Sequence, residues 1–403
     1  MKIAFFTDVF LPFTSGVSVS VVDLTKSLAD RGHEIHIITP VYKKLVFEYP
    51  NVYVKRVPSI SAGWIYPGFR FANPFNLFVH RYIQKNGIDV IHFHTPLLVG
   101  RLGISISRRY NLPLVGTYHT SVDAKECRKH VKLDSDLFDG VAKRFVDFFY
   151  KGCDLVSVPT KTYAERLEAL GLNYPTRVIS NGIDLGKFPE GDAKEIRARY
   201  PGKIVLSVGR LAQEKNLMFL LKAWPHLQDD AHLILIGGGT HEGGLKEYAK
   251  REGLKNIHFL GMIPHEELIQ TGYHRAADVF VMTSMVEVQG LALMEAQANG
   301  LVSVGINAGG TKNLIIDGEN GFLVEPGDQD RFLEVMRQLL KDDGLRARMR
   351  EAALEEIQKH DLTYVAEEWE EIYEELVDRK KRATNIELSD RRPNLPYRPT
   401  DAT

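Results

Sequence analysis

The chain of 403 residues contains only two cysteines, Cys127 and Cys153. Two isolated thiols exclude a disulfide framework and are too few for a structural zinc site. A reduced, cytosolic setting is expected, with both thiols as inert packing residues. No run approaches the roughly 20 apolar residues of a membrane span. The opening MKIAFFTDVFLP carries an early acid and a short apolar run, so it reads as a first strand and not as a targeting signal. Repeats of solenoid length are also missing. Net charge is scarce, at −1. That average hides a split. Residues 1–200 carry about 27 Lys and Arg against 19 Asp and Glu, roughly +8, and the remainder carries roughly −9. Most of the excess lies between residues 51 and 150. A basic half suits an anionic partner such as a membrane surface, a phosphate or a nucleic acid. The plain alternative is surface variation between two domains. No recognised nucleic-acid module is present, so that partner is not expected.

What is present is apolar residues, 44% of the chain, in an alternating pattern. KIAFFTD and EIHIITP are short buried-strand runs, separated by the amphipathic helix VSVVDLTKSLADRGH, which ends at Arg31-Gly32. DVIHFHTP, LPLVGTYHT, DLVSVPT and TRVISNGID read as further strands. A second series, KIVLSVGR, HLILIGGG, NIHFLGMIP, DVFVMTS and VSVGINAGG, begins near Lys203. Strands alternating with helices imply parallel sheets covered on both faces. Ligands bind at the C-terminal ends of such strands. The fold class is therefore α/β, with two Rossmann-like domains. The expected division is 1–185, 186–362, a charged helix over 363–382, and a Pro-rich disordered tail over 383–403.

The stretch TSMVEVQGLALMEA places Glu287 and Glu295 eight positions apart, around the start of a helix expected from about Gly290 to Asn299. The helix N-terminus offers free amides at Gly290 and Leu291 and positive dipole character, a ready phosphate site. Two carboxylates flanking a bound diphosphate can accept hydroxyls on either side. The bland reading is one solvated acid and one mid-helix acid without a ligand. A glycosidase acid–nucleophile pair fits less well, because a helix start between the acids aims them at opposite ends of an anion site. SVGRLAQEKN adds Arg210 and Lys215 just past a strand, where fixed cations can neutralise a diphosphate leaving group. Alone, these two would read as solvated loop cations.

Taken in order, GRLAQEKN, EVQGLALMEAQANG and AGGTKNLIIDGENGFLV resemble the retaining glycosyltransferases of family 4. LPFTSGVSVSV is similar to that family's glycine loop, HFHTPLLVG to its next stretch and GTYHTS to its acceptor-side histidine loop. The resemblance spans about residues 1–380 and looks closest to the diacylglycerol glucosyltransferase and phosphatidylinositol mannosyltransferase branch. It implies the GT-B fold, two domains facing across a cleft, with the last helix crossing back to the first domain. It also implies transfer of a hexose, with retention, from a UDP-, GDP- or ADP-linked sugar to a hydroxyl acceptor, without metal or other cofactor. By the resemblance, Gly16 admits the diphosphate to the first-domain backbone, and Arg210 and Lys215 bind it and stabilise the departing charge. Glu287 holds a donor-sugar hydroxyl, with the phosphates on the backbone amides of Gly290 and Leu291, and Glu295 binds the ribose. His119 lies near the transferred sugar, and Asp123 is on the acceptor side. The chain departs from the family at Val302, where proline is common, and at Asn313, where glutamate is common. Rival readings are a soluble sugar or polyol acceptor, a nucleotide-sugar epimerase, and a non-catalytic sugar-nucleotide-binding protein.

Other signals are set aside. GGGTHEGG fails the dinucleotide fingerprint because Glu242 falls where the third glycine belongs. Asp134–Asp136, DSD, sits in a charged helical stretch and not at a strand end. His92 and His94 share one strand face but have no obvious third metal ligand. WIYPGFRFANPFNLF and VAKRFVDFFYKG mix aromatics with Arg70, Lys143, Arg144 and Lys151. They suit either an anionic lipid surface or ordinary packing. A peripheral position on the inner face of a membrane is thus one expectation.

Overall fold

The computed structural model describes residues 1–13, 15–42, 47–63, 70–119, 135–188 and 192–390, side chains at 135–139, 141, 142 and 386–390 excepted. The first lobe contains β1 (Lys2–Phe6), β2 (Glu34–Pro40), β3 (Val52–Val57), β4 (Ser59–Ser61), β5 (Arg70–Ala72), β6 (Val90–Phe93), β7 (Leu114–Thr117), β8 (Leu155–Val158) and β9 (Thr176–Val178). The second contains β10 (Lys203–Val208), β11 (Ala231–Ile236), β12 (Ile257–Gly261), β13 (Val279–Met282), β14 (Val302–Ile306) and β15 (Gly321–Val324).

The first sheet runs β3-β2-β1-β6-β7-β8-β9 and the second β12-β11-β10-β13-β14-β15. Every pairing within both is parallel. Central strands are apolar on both faces: Ile3, Phe5 and Phe6 in β1, and Ile204, Val205 and Leu206 in β10, are fully buried. That burial explains why uninterrupted apolar runs, not alternating ones, mark them. β3 was not legible as a strand. It is an edge strand with Tyr53 exposed, and it lacks an apolar run. The antiparallel pair β4–β5 was missed for the same reason.

Strand order reverses between β1 and β6 and again between β10 and β13. At such a switch point the loops after neighbouring strands part and leave a crevice. The loop after β1 carries Gly16 and the loops after β10 and β13 carry Arg210 and Glu287, so each sheet's topology brings its own expected site residues to its crevice.

The last helix, Leu362–Asp390, lays Val365, Trp369, Ile372, Tyr373 and Leu376 onto a core with Ile3, Phe5, Val21 and Leu28 of the first lobe. Glu370 accepts from Arg31 at 2.5 Å and lies 3.0 Å from His33. The helix outlasts the expected stop at 382. Residues 383–390 are helical and not disordered tail, because no glycine or proline interrupts the chain until Pro393. Residues 391–403 lie outside the described residues.

The chain passes between lobes after β9 and again before the last helix. The two passages are stitched together. Ile183 N–H donates to His360 O and Leu362 N–H donates to Ile183 O, both at 2.9 Å. Gly182 has φ +75°, a left-handed conformation that favours glycine, and a Cβ there would crowd Leu362.

Candidate active site

A cleft of about 590 Å³ opens between the lobes. From the second lobe it is lined by Arg210, Lys215, Glu287, Gly290 and Leu291, and from the first by Gly16, Tyr42, His119 and Asn181. Seven of the nine expected site residues therefore share one cavity. Glu295 does not line it. Asp123 lies outside the described residues, as do Cys127 and residues 64–69 of the aromatic stretch.

The helix Leu291–Ala298 begins at Gly290, which takes φ +89°. Among the described residues no side chain caps this end, and Gly290 and Leu291 line the cleft, which leaves its first amides for an anion. Opposite it, the helix Gly16–Asp30 starts at Gly16 behind the capping residue Ser15. A Cβ on Gly16 would lie 3.7 Å from Leu291 Cδ1. The two helix starts thus face each other across a narrow gap.

The cations are held by acids. Lys215 Nζ donates to Glu287 Oε1 in a short ion pair, and Arg210 Nη2 lies 2.8 Å from Glu214 Oε1. The loop bearing Lys215 is pinned from β13's end, where Thr283 Oγ1 donates to Lys215 O at 2.8 Å and Met285 N–H donates to Glu214 O at 3.0 Å. Glu287 thus pairs with a cation, a contact that spacing alone does not foretell.

Glycines brace both loops. A Cβ on Gly237 would lie 1.9 Å from Gly209 O, and one on Gly239 would lie 2.5 Å from Leu211 O. The GGG after β11 therefore exists to let the Arg210 loop pack directly on it, which accounts for glycines that match no dinucleotide fingerprint. Gly310 N–H donates to Glu287 O at 2.6 Å, and a Cβ on Gly310 would lie 2.1 Å from Val288 O. The paired glycines of INAGG were the available signal for this brace.

His119 Nε2 lies 3.1 Å from His94 Nδ1, and the rings stack at 5.4 Å. Burial lowers the His119 pKa to about 4, against a raising hydrogen bond to Asn181, so the ring is neutral near pH 7. His92 has both ring nitrogens engaged, with Tyr373 Oη at 2.7 Å and Thr117 Oγ1 at 2.6 Å. It is therefore a packed, bonded core histidine and not a metal ligand. Among the described residues no group of three or more His, Cys, Asp or Glu is placed to hold a metal.

Asp8 is fully buried after β1, and burial raises its pKa to about 6 despite hydrogen bonds from Val99 N–H and Thr95 Oγ1. It caps the helix Leu98–Tyr110 from the end of β1, accepting the amides of Val99 and Gly100. Asn313, the family departure, accepts from Thr162 Oγ1 at 2.7 Å across the lobe boundary. Val302 is buried in β14.

Glu295 is buried one turn into its helix, outside the cleft lining, and its Oε1 pairs with His265 Nε2 at 2.6 Å. Burial pulls the His265 pKa down, but the hydrogen bond and charge of Glu295 outweigh it and raise it above 6.5. The pair's stabilisation is then complete below about 6.5 and fades as pH rises through the folded value. His265→Gln is expected to remove that fading. The difference in unfolding free energy between wild type and variant, followed by urea titration from pH 6 to 9, should shrink with rising pH. A pH-independent difference would contradict the pairing.

Of the two aromatic stretches, the second is mixed. Phe149 and Tyr150 are core, while Phe148 is exposed beneath Arg101, whose guanidinium lies 4.9 Å from the ring. Phe75, Leu77 and Phe78 are strongly exposed. Among the described residues no helix is long and apolar enough to cross a membrane.

Comparisons with known proteins bear on the family and the fold. Residues 14–187 match the family described as glycosyltransferase family 4, and residues 191–356 match glycosyl transferases group 1. The alpha-monoglucosyldiacylglycerol synthase of Acholeplasma laidlawii is 30% identical over 82% of this chain and 86% of its own length. Among solved structures, sucrose-phosphate synthase from Thermosynechococcus elongatus superposes with a TM-score of 0.78 at 22% identity, covering 93% of this chain and 98% of that one. HepE from Anabaena, solved in complex with UDP-glucose, superposes with a TM-score of 0.73 at 21% identity, covering 93% and 100%. Two facing parallel-sheet lobes are the GT-B fold, and the chain belongs to the family 4 glycosyltransferases.

Proposed function

We propose that this glycosyltransferase moves a hexose from a nucleotide-diphosphate sugar to a hydroxyl of a glycerolipid or phospholipid, with retention of anomeric configuration and without a metal. The carrying observation is the meeting of Lys215, Arg210 and the uncapped Gly290–Leu291 helix start in one interlobe cleft. These are the groups a diphosphate needs on both sides.

In the proposed step the bond from the anomeric carbon to the diphosphate oxygen breaks. The acceptor oxygen bonds the same carbon on the same face. Its proton passes to the leaving phosphate, so no protein nucleophile is required. Glu287, already bonded to Lys215, is suited to hold a sugar hydroxyl beside that cation. The ribose is assigned to Glu295, one helical turn beyond the cleft-lining Ala292, through the carboxylate oxygen that His265 does not take. Neutral His119 serves the transferred sugar as a hydrogen-bond partner, not as a charged acid. Closure of the cleft excludes water and suppresses donor hydrolysis.

The A. laidlawii relative is named for a lipid product, and the exposed Phe75, Leu77 and Phe78 offer an apolar face to a bilayer. Both support the lipid acceptor and a peripheral position on the membrane. The test is a screen of UDP-glucose, GDP-mannose and ADP-glucose by thermal stabilisation. The best donor is then offered to diacylglycerol and phosphatidylinositol vesicles and to soluble sugars, with and without chelator. Transfer to a lipid with an α-linkage, unchanged by chelator, is the expected result. Transfer only to soluble acceptors would overturn the lipid assignment.

A further inference from the structure

Gln289 sits between Glu287 and the helix start and has no task in the scheme above. It is 2% exposed. Both ends of its side-chain amide are engaged at the passage between lobes. Its Oε1 accepts the backbone N–H of Asn181 at 2.8 Å, and its Nε2 donates to Ser180 Oγ at 2.7 Å. Ser180 Oγ also lies 2.9 Å from His360 Nδ1, at the other passage. Asn181 in turn hydrogen-bonds His119. One further bond runs alongside, from Thr160 Oγ1 to Val288 O at 3.0 Å.

A buried primary amide is costly unless each polar atom is satisfied. Here both partners lie after β9 and outside the second lobe's sheet. The bonds therefore exist only while the donor-side loop and the interlobe passage are held in this arrangement. If the lobes part, the amide must exchange both for water.

We infer that Gln289 is a positioning residue that couples the two halves of the cleft: it fixes the phosphate-facing helix start against the interlobe passage and, through Asn181, sets the orientation of His119. The inference rests on the donor assignment of the preceding section. Gln289 also lines the cleft, but both of its side-chain bonds run to the interlobe passage, so the role inferred is positioning, and the affinity readout below separates it from donor binding.

The test uses the full chain. Gln289→Met keeps length and burial and removes both bonds. The wild type is first titrated with UDP, GDP and ADP, and the nucleotide that binds is used throughout. For Gln289→Met, kcat is expected to fall about tenfold or more, while nucleotide affinity stays within about threefold. Donor hydrolysis relative to transfer should rise, because closure is less secure. Ser180→Ala should shift the same readouts in the same direction, and the double variant should be little worse than Gln289→Met alone, since both act on one linkage. An unchanged kcat overturns the inference. So does a parallel loss of nucleotide affinity and turnover, which would make Gln289 a donor-binding residue. Additive effects in the double variant overturn it as well. Should Gln289→Met fail to fold, Ser180→Ala decides by the same split. A wild type that neither binds nucleotide nor transfers sugar would instead sink the donor assignment.

Discussion

Lys215→Ala is expected to slow transfer by about 10²–10³-fold while weakening nucleotide affinity far less. The reason is where the ammonium sits. It is paired with Glu287, whose side chain is mostly buried. In the proposed step the ammonium is shared between that carboxylate and the diphosphate. It gains most as the sugar–phosphate bond breaks and negative charge collects on the leaving oxygen. A contact that strengthens toward the transition state raises kcat more than it tightens binding. Truncation has a second effect, because it leaves the Glu287 carboxylate facing the phosphates without its cation. Adding Glu287→Gln to Lys215→Ala should therefore recover nucleotide affinity but not turnover. Calorimetric titration and single-turnover rates separate the two quantities. Equal losses in both for Lys215→Ala would count against a leaving-group role.

Gly310→Ala is the second large effect. A methyl group there would enter to 2.1 Å from Val288 O, well inside contact distance. The Glu287–Val288 backbone must move, and the hydrogen bond from Gly310 N–H to Glu287 O goes with it. Overpacking of this kind costs about 1–3 kcal/mol of stability. Turnover should drop by about 100-fold, because a displacement near 1 Å at a reacting group has that consequence. The strain is steric alone, since Gly310 has φ −79°, a value open to alanine. Denaturant unfolding together with kcat checks both halves. A stable, fully active variant would show that the loop has room that this structure denies it.

Much of this was readable from sequence because parallel sheets write themselves as apolar runs. β1, β2, β10 and β11 are buried on both faces, and each stands out as a short hydrophobic block before a polar loop. Gly16, Arg210, Lys215 and Glu287 sit in such loops, so their meeting followed from strand order once two α/β series were recognised. The acid pair around a helix start could not by itself separate sugar-nucleotide binding from a glycosidase site. It took the ordered motifs, and then family membership, to favour transfer. What escaped the sequence were contacts between distant segments. Nothing local says that Asn181 meets His119, that Gln289 reaches Ser180, or that Glu295 turns toward His265. Gly237, Gly239 and Gly310 were visible as glycines, but the carbonyls that exclude a side chain there come from loops tens of residues away in sequence.

The double passage between the lobes has a mechanical consequence. Ile183 is bonded on either side to His360 and Leu362, and the final helix is rooted in the first lobe's core. The second lobe is therefore tethered at one pin rather than at two separated points. Any relative motion of the lobes must then turn about that shared crossing, and it must break the bonds from Thr162 to Asn313 and from Thr160 to Val288 O. Small angular changes near Ser180 and His360 turn into larger travel at the far rim, where an acceptor must enter and a product must leave.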